Sequence, residues 1–360
     1  PLSAYGELPN VDRMAIAPDG KHLAYILRGG DSEGLFIFDI ENGKISGGAK
    51  VEKGKVRRVR FAGPDHVILQ ASVTTSQYGF KGRFENSSAG SYNIKTNNLV
   101  TLLRNAPALW KAQSGLGQII GYNAQTNEVY MPAYAEEGSY AWYEVYKVDL
   151  DNNMARQLHK AGDDVIDWIV DGNGDVVARE DFSVDEELYQ IKDKRGGDWR
   201  TIYSKVTDEP PFSLIGAKPD GSGLVAFVDP EDSGFSTVFE ISANGERSAP
   251  VFTRPGAEVD SILTDINRTV LGVQYSGLYS GYEFYDPALT SAVADAVALF
   301  PGSSATLLSW TDDFQKLLFL AEGARRAPAY YLYDRSKRTM LRIAKKYDQI
   351  DDKDVGEVFT

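Results

Sequence analysis

Side chains able to break or bind bonds are few in this sequence, and their spacing excludes most catalytic arrangements. A serine nucleophile needs a G-x-S-x-G elbow, because only a strained strand-to-helix turn exposes its oxygen. The one segment with that spelling, Gly30-Asp31-Ser32-Glu33-Gly34, runs into the strand pattern LFIFDI rather than a helix; Gly221-Ser222-Gly223 reads as a hairpin turn and Gly302-Ser303-Ser304 as a loop between repeats. The candidate bases are His22, His66 and His159. The first two follow turns and read as solvated turn residues, and the third ends a strand. Asp171-Gly-Asn-Gly-Asp175 imitates the start of a calcium loop. That loop needs Gly at its sixth position and Glu at its twelfth, where this chain has Val176 and Phe182. With no Cys and three scattered His, no zinc set of ordinary spacing is available. The expectation is therefore no catalytic residue, no metal and no cofactor within these residues.

Two acidic pairs remain, Glu136-Glu137 and Glu186-Glu187. Paired carboxylates on a hairpin can grip a substrate amine through charge-assisted hydrogen bonds. Glu136 and Glu137 are the better candidates, because Tyr140 and Trp142 lie beside them in AEEGSYAWYE. Arg83 is the candidate for a substrate carboxylate or carbonyl. The competing reading of all three is a solvated surface.

Any such residues must be held by strands. Short alternating runs, each opened by turn chemistry, recur along the whole chain. IAPDGKHLAYI (16–26) is the pattern: Pro18-Asp19-Gly20 turns the chain, and an alternating strand follows. Counterparts turn at Asp65, Gln125, Asn173, Asp220, Asn267 and Asp313, with a mean spacing of about 49 residues. A second unit, such as YEVYKVDLDNNMARQL (143–158) or YYLYDRSKRTMLRI (330–343), alternates with the first. Each pair supplies about four strands. A four-stranded unit repeated seven times predicts an all-β, seven-bladed β-propeller of antiparallel blades. The expected blades are 11–48, 57–103, 117–160, 164–204, 212–254, 257–299 and 304–345, within a propeller of 1–347. Aromatics such as Tyr25, Tyr92, Tyr146, Trp168, Tyr189, Phe239 and Phe319 supply bulk between blades.

Departures from the repeat are also legible. Residues 78–90 are rich in Gly and Ser and read as a long loop, and 105–116 connects blades two and three. Residues 136–143 lengthen the central hairpin of blade three. Pro287–Leu299 is the one helical pattern, with Pro near its start and apolar residues at 289, 293 and 297. It is expected to replace or follow the outer hairpin of blade six. Blades one and seven each have a full set of strands, so the ring is expected to close without strand exchange.

Composition bounds the function. The 360 residues carry 38 Lys+Arg against 51 Asp+Glu, a net charge of −13. This excludes a nucleic-acid binder, which needs a basic face. No apolar run reaches the length of a membrane-spanning helix. The absence of Cys removes disulfide and thiol chemistry.

Two end segments carry a resemblance. AYGELPNVDRMAIAPDGKHLAYI, and SSATLLSWTDDFQKLLFLAEG followed by YYLYDRSKRTMLRIAKKY, resemble the first and last propeller blades of bacterial prolyl oligopeptidase family serine peptidases, in the acylaminoacyl-peptidase-like and dipeptidyl-peptidase-like branch. The resemblance implies an α/β-hydrolase domain after the propeller, carrying the Ser-Asp-His triad, with 348–360 as the linker toward it. It implies a chamber that admits oligopeptides and excludes folded proteins; a periplasmic or secreted location is the expectation, with the cytoplasm left open because the absence of Cys fits either compartment. A freestanding TolB-like protein-binding propeller and the propeller of a specialised isopeptidase remain the alternatives.

Overall fold

The computed structural model describes residues 3–356 except 30–31, 52–53, 77–78, 160–161, 163, 196 and 229–234, and it leaves the side chain of Glu137 undescribed. Seven antiparallel sheets follow one another around a ring, each built from strands consecutive in sequence. The innermost strands are Val11–Ile16, Lys55–Ala62, Gly121–Asn123, Val165–Val170, Ser213–Ala217, Val259–Thr264 and Ser303–Trp310. The first of these packs beside both the second and the last, which closes the circle.

Among the described residues five blades have four hydrogen-bonded strands, and blades five and six have three. The seven-bladed antiparallel ring is as expected, with the outermost segment of blades five and six departing from the repeat. In blade five the outer segment keeps only single bridges, Ile241 to Arg247 and Val238 to Val251; Pro250 and Pro255 flank it, and proline cannot donate to a ladder. In blade six the helix Pro287–Val297 follows the third strand directly. Asp286 caps it by accepting from the Ala288 N–H, and Leu289, Val293 and Ala296 are buried. These side chains join the core shared with blade seven. Residues 84–90, expected as loop, instead form the near half of the strand Phe84–Asn93, paired with His66–Thr75. Alternation with small residues sustains the ladder although the composition reads as loop; Tyr78 lies outside the described residues.

Seven buried clusters hold the ring, one at each junction between neighbouring blades. The junction of the last blade with the first buries Val11, Met14, Ile16 and Leu23 against Leu318, Tyr330 and Leu332. No strand of one end joins the sheet of the other. Closure is by side-chain packing, supplemented by the Asn10 and Val11 N–H groups on the Lys346 carbonyl, 2.9 and 3.2 Å.

Tyrosines do more than fill space. Across successive junctions a phenol reaches a neighbour: Tyr92 accepts from Gly48 N–H at 2.8 Å, Tyr130 donates to Asn173 O at 3.1 Å, and Tyr282 donates to Ala305 O at 2.8 Å. Tyr285 donates to Glu240 at 2.9 Å, and Tyr330 to Val11 O at 3.3 Å. A buried phenol needs such a partner, and the adjacent blade supplies it.

Candidate functional site

Antiparallel connectivity divides the ring into two unlike rims. The innermost strand of each blade starts on one rim, and the second returns to it. Hairpins between second and third strands, and crossings between blades, therefore share that rim with both chain ends. Residues 348–354 fold back there: Asp348 N–H donates to Asn10 Oδ1 at 2.9 Å, and Gln349 Nε2 to Ala4 O at 3.3 Å. The opposite rim carries the turns.

Their surfaces differ in kind. The rim of the chain ends exposes Tyr5, Leu8, Phe80, Tyr140, Val184, Phe235, Leu278 and Tyr279. On the turn rim, among the described residues, exposed apolar bulk is limited to Met154 and to Ile45, Leu99 and Leu341 near the starts of outer strands. Aspartates dominate it instead. Asp19, Asp39, Asp149, Asp171, Asp220, Asp265, Asp313 and Asp334 each accept a backbone N–H two or three residues on. Much of the net negative charge is turn chemistry.

The three residues singled out from the sequence lie on the apolar rim. Glu136 is exposed near the tip of the hairpin Glu128–Glu137 to Tyr140–Asp149, and its N–H donates to Ala108 O at 2.6 Å. Glu137 is paired with Tyr140 at that tip. Arg83 is exposed on the blade-two hairpin, its guanidinium turned back onto Thr74 O at 2.8 Å. The connection 105–116 runs between these hairpins, bridging Gly115 to Ser87 and Leu109 to Ala135. No hydrogen bond or ion pair joins Arg83 to Glu136. Trp110, Tyr134 and Tyr143 form an aromatic file beside them, with ring centroids 6.0 and 5.0 Å apart.

Two of the three histidines are tied into the fold. His66 is buried rather than solvated, held between Asp151 Oδ1 at 3.0 Å and Asn93 Nδ2 at 3.2 Å. His159 stacks on Trp168, and burial pushes its pKa down.

The channel was not legible in the sequence. Near its turn end, the blade-six turn 265–269 leans across the axis. Asn267 Oδ1 accepts the Tyr122 N–H of blade three at 2.7 Å. Ile266 packs into the core between blades two and three. Arg268 adopts φ 60° and spends all five N–H donors: Nε on Ile215 O, Nη1 on Asp167 Oδ1 and Trp168 O, Nη2 on Asp167 Oδ2 and Leu214 O, at 2.8–2.9 Å. Blade six is thereby tied to blades three, four and five, and the turn narrows the channel like a bar. Gly216 permits the approach, because a Cβ there would sit 1.6 Å from Arg268 O.

On the chain-end side of the bar lies a recess of about 480 Å³. Its blade-two wall presents Arg58 and Arg60. A bulge between Val56 and Arg58 resets the strand phase, so Arg58 and Arg60 share the channel face while Val59 and Phe61 pack into the core. Burial, then the neighbouring Arg58, push Arg60 down to about 9, while Asp265 pulls it upward. Both guanidiniums stay charged at neutral pH. The signal in KVRRVRF was arginine at alternate positions of an innermost strand, unreadable before the channel face is known.

No protein-family model matches the chain. The sequence is 24% identical over 218 residues to dipeptidyl aminopeptidase BIII of Pseudoxanthomonas mexicana, a match covering 59% of this chain and 31% of that protein. The chain thus spans about a third of its curated relative. The fold overlays the β-propeller domain of the Trilobed protease from Pyrococcus furiosus, described as having an open velcro topology, with TM-score 0.56 and 10% identity over 95% of this chain and all of that one. It overlays Pyrococcus horikoshii acylaminoacyl peptidase with TM-score 0.53 and 12% identity, covering 95% of this chain and 53% of that one. The end segments and these comparisons agree: the chain is similar, in fold along nearly its whole length and in sequence over part of it, to the propeller domains of prolyl oligopeptidase family peptidases.

Proposed function

We propose that this chain is the non-catalytic propeller of a serine peptidase of that family, covering a hydrolase domain and restricting it to oligopeptides. The observation that carries this reading is the asymmetry of the rims: apolar side chains are exposed on the rim from which both chain ends leave, where a following domain would dock. The narrowed channel supports size restriction, since Asn267 and Arg268 reach across its axis to blades three, four and five. Glu136, Glu137 and Arg83 stand on that same rim, placed to hold a substrate amine or carboxylate at the mouth of the chamber. The same reading puts the protein in the periplasm or outside the cell.

The test uses the natural product that continues past Thr360. It is expected to react with a serine-directed fluorophosphonate and to cleave short peptides but not folded proteins, while residues 1–360 alone cleave neither. An unlabelled longer product, or a reading frame that stops at Thr360, sinks the proposal.

A further inference from the structure

The recess on the chain-end side of the channel bar has one cationic wall and one anionic wall that do not neutralise each other. Arg58 and Arg60 project from blade two, and neither lies within ion-pair distance of a carboxylate among the described residues. Protein surrounds Arg60 on nearly every side, although its edge toward the channel stays accessible. Enclosing an unpaired guanidinium costs free energy, and so does placing a second beside it. Asp260 of blade six stands on the far wall, exposed to the channel and likewise without a charged partner. Between the two walls the lining is mixed, Phe227 and Ile262 beside Gln70, Gln118 and Ser261; Asp265 also borders the recess and acts on Arg60 only through space, its carboxylate accepting the backbone N–H groups of Asn267 and Thr269. Arg268, also at the recess, is fully spent on Asp167 and backbone carbonyls, so it competes for no ligand.

A ligand that satisfies both walls carries an oxyanion at one end and a cation at the other, with a body between them that offers both amide and apolar groups. We infer that the recess binds a short peptide in its zwitterionic form, the C-terminal carboxylate on Arg58 and Arg60 and the N-terminal ammonium toward Asp260. Guanidinium pairs are suited to carboxylates because their planar donors match two oxygens at once. The volume of about 480 Å³ lies in the range of small-ligand pockets. The inference goes beyond the gating role, which needs no ligand in the channel.

The test is made on residues 1–360 by calorimetric titration with four probes: trialanine, its C-terminal amide, its N-acetyl form and inorganic phosphate. Trialanine is expected to bind at least tenfold more tightly than the amide, and the N-acetyl form to fall between them. In the Arg58→Gln/Arg60→Gln variant the acid–amide difference is expected to vanish. In Asp260→Asn the difference between free and acetylated amine is expected to vanish while the acid–amide difference persists. Both changes remove unpaired charge, and near-UV circular dichroism checks that the fold is kept. Equal binding of acid and amide overturns the inference, as does an acid–amide difference that survives loss of both arginines. Binding of phosphate without binding of trialanine also overturns it, leaving a plain oxyanion site. None of these outcomes bears on fluorophosphonate labelling of the longer product, so the two readings fail separately.

Discussion

Glu180 makes stability depend on pH in a direction opposite to most carboxylates. It lies on the second strand of blade four, 4% exposed, at the junction with blade five. Its Oε1 accepts from the Tyr189 hydroxyl and from the Leu214 N–H, the latter at 3.2 Å. Burial is the largest influence and lifts its pKa from 4.5 to about 7, with Asp167 adding to the rise; the two hydrogen bonds and Arg268 oppose it. Between those values the folded protein keeps a proton that the unfolded chain has lost. The stabilisation is therefore complete below pH 4.5 and disappears as pH rises through 7. A displacement of that size corresponds to about 3 kcal/mol. Glu180→Gln preserves the accepting oxygen and removes the titration. Urea unfolding of both proteins at pH 4.5, 6 and 8, followed by tryptophan fluorescence, isolates the effect, because every other group titrates in both. The variant is expected to gain about 3 kcal/mol on the parent between pH 4.5 and 8. A difference that stays flat across that range, or a loss on going to pH 8, refutes the reasoning.

The channel bar gives two further predictions. Gly216→Ala sets a Cβ against the Arg268 carbonyl at 1.6 Å and is expected to cost about 3 kcal/mol by urea midpoint. Arg268→Lys cannot make the fork to Asp167 and three carbonyls, and is expected to lose about 3 kcal/mol with no rescue by the retained charge. At the seam of the ring, Tyr330→Phe removes one hydrogen bond to Val11 O and is expected to cost about 1 kcal/mol. Leu318→Ala at the same seam opens a cavity in a fully buried cluster and is expected to cost about 3 kcal/mol by the same assay; a Tyr330 effect larger than the Leu318 effect would show that closure rests on hydrogen bonding rather than packing. In the longer product, Glu136→Gln/Glu137→Gln is expected to raise KM for peptides with a free N-terminus severalfold and leave acetylated peptides unchanged.

The sequence by itself determined the blades. Alternation with period two marks a strand, and Asp, Asn and Gly in turns mark its end, so the number of repeats and the helix at Pro287 follow from local chemistry. It also pointed to aromatics that fill the junctions of a two-faced blade: Tyr92, Tyr146, Trp168, Tyr189, Phe239 and Phe319 are enclosed, while Tyr25 is only half-buried, stacked on Phe36. What local pattern could not specify is where one repeat meets a distant one. His66 reads as a turn residue until Asp151 of the next blade is placed beside it. Asn267 has the same turn chemistry as Asn173, yet only the blade-six turn leans across the axis, because the bare Gly216 backbone lets Arg268 approach and reach Asp167. Glu136, Glu137 and Arg83 stand out by residue type alone, but which rim they occupy depends on the direction of the innermost strands. Arg58 and Arg60 became a pair on the channel wall only through a one-residue bulge and the closing of the ring. Strand period and turn type are set within a few residues, whereas channel, rims and bar are set by contacts between residues fifty or more positions apart.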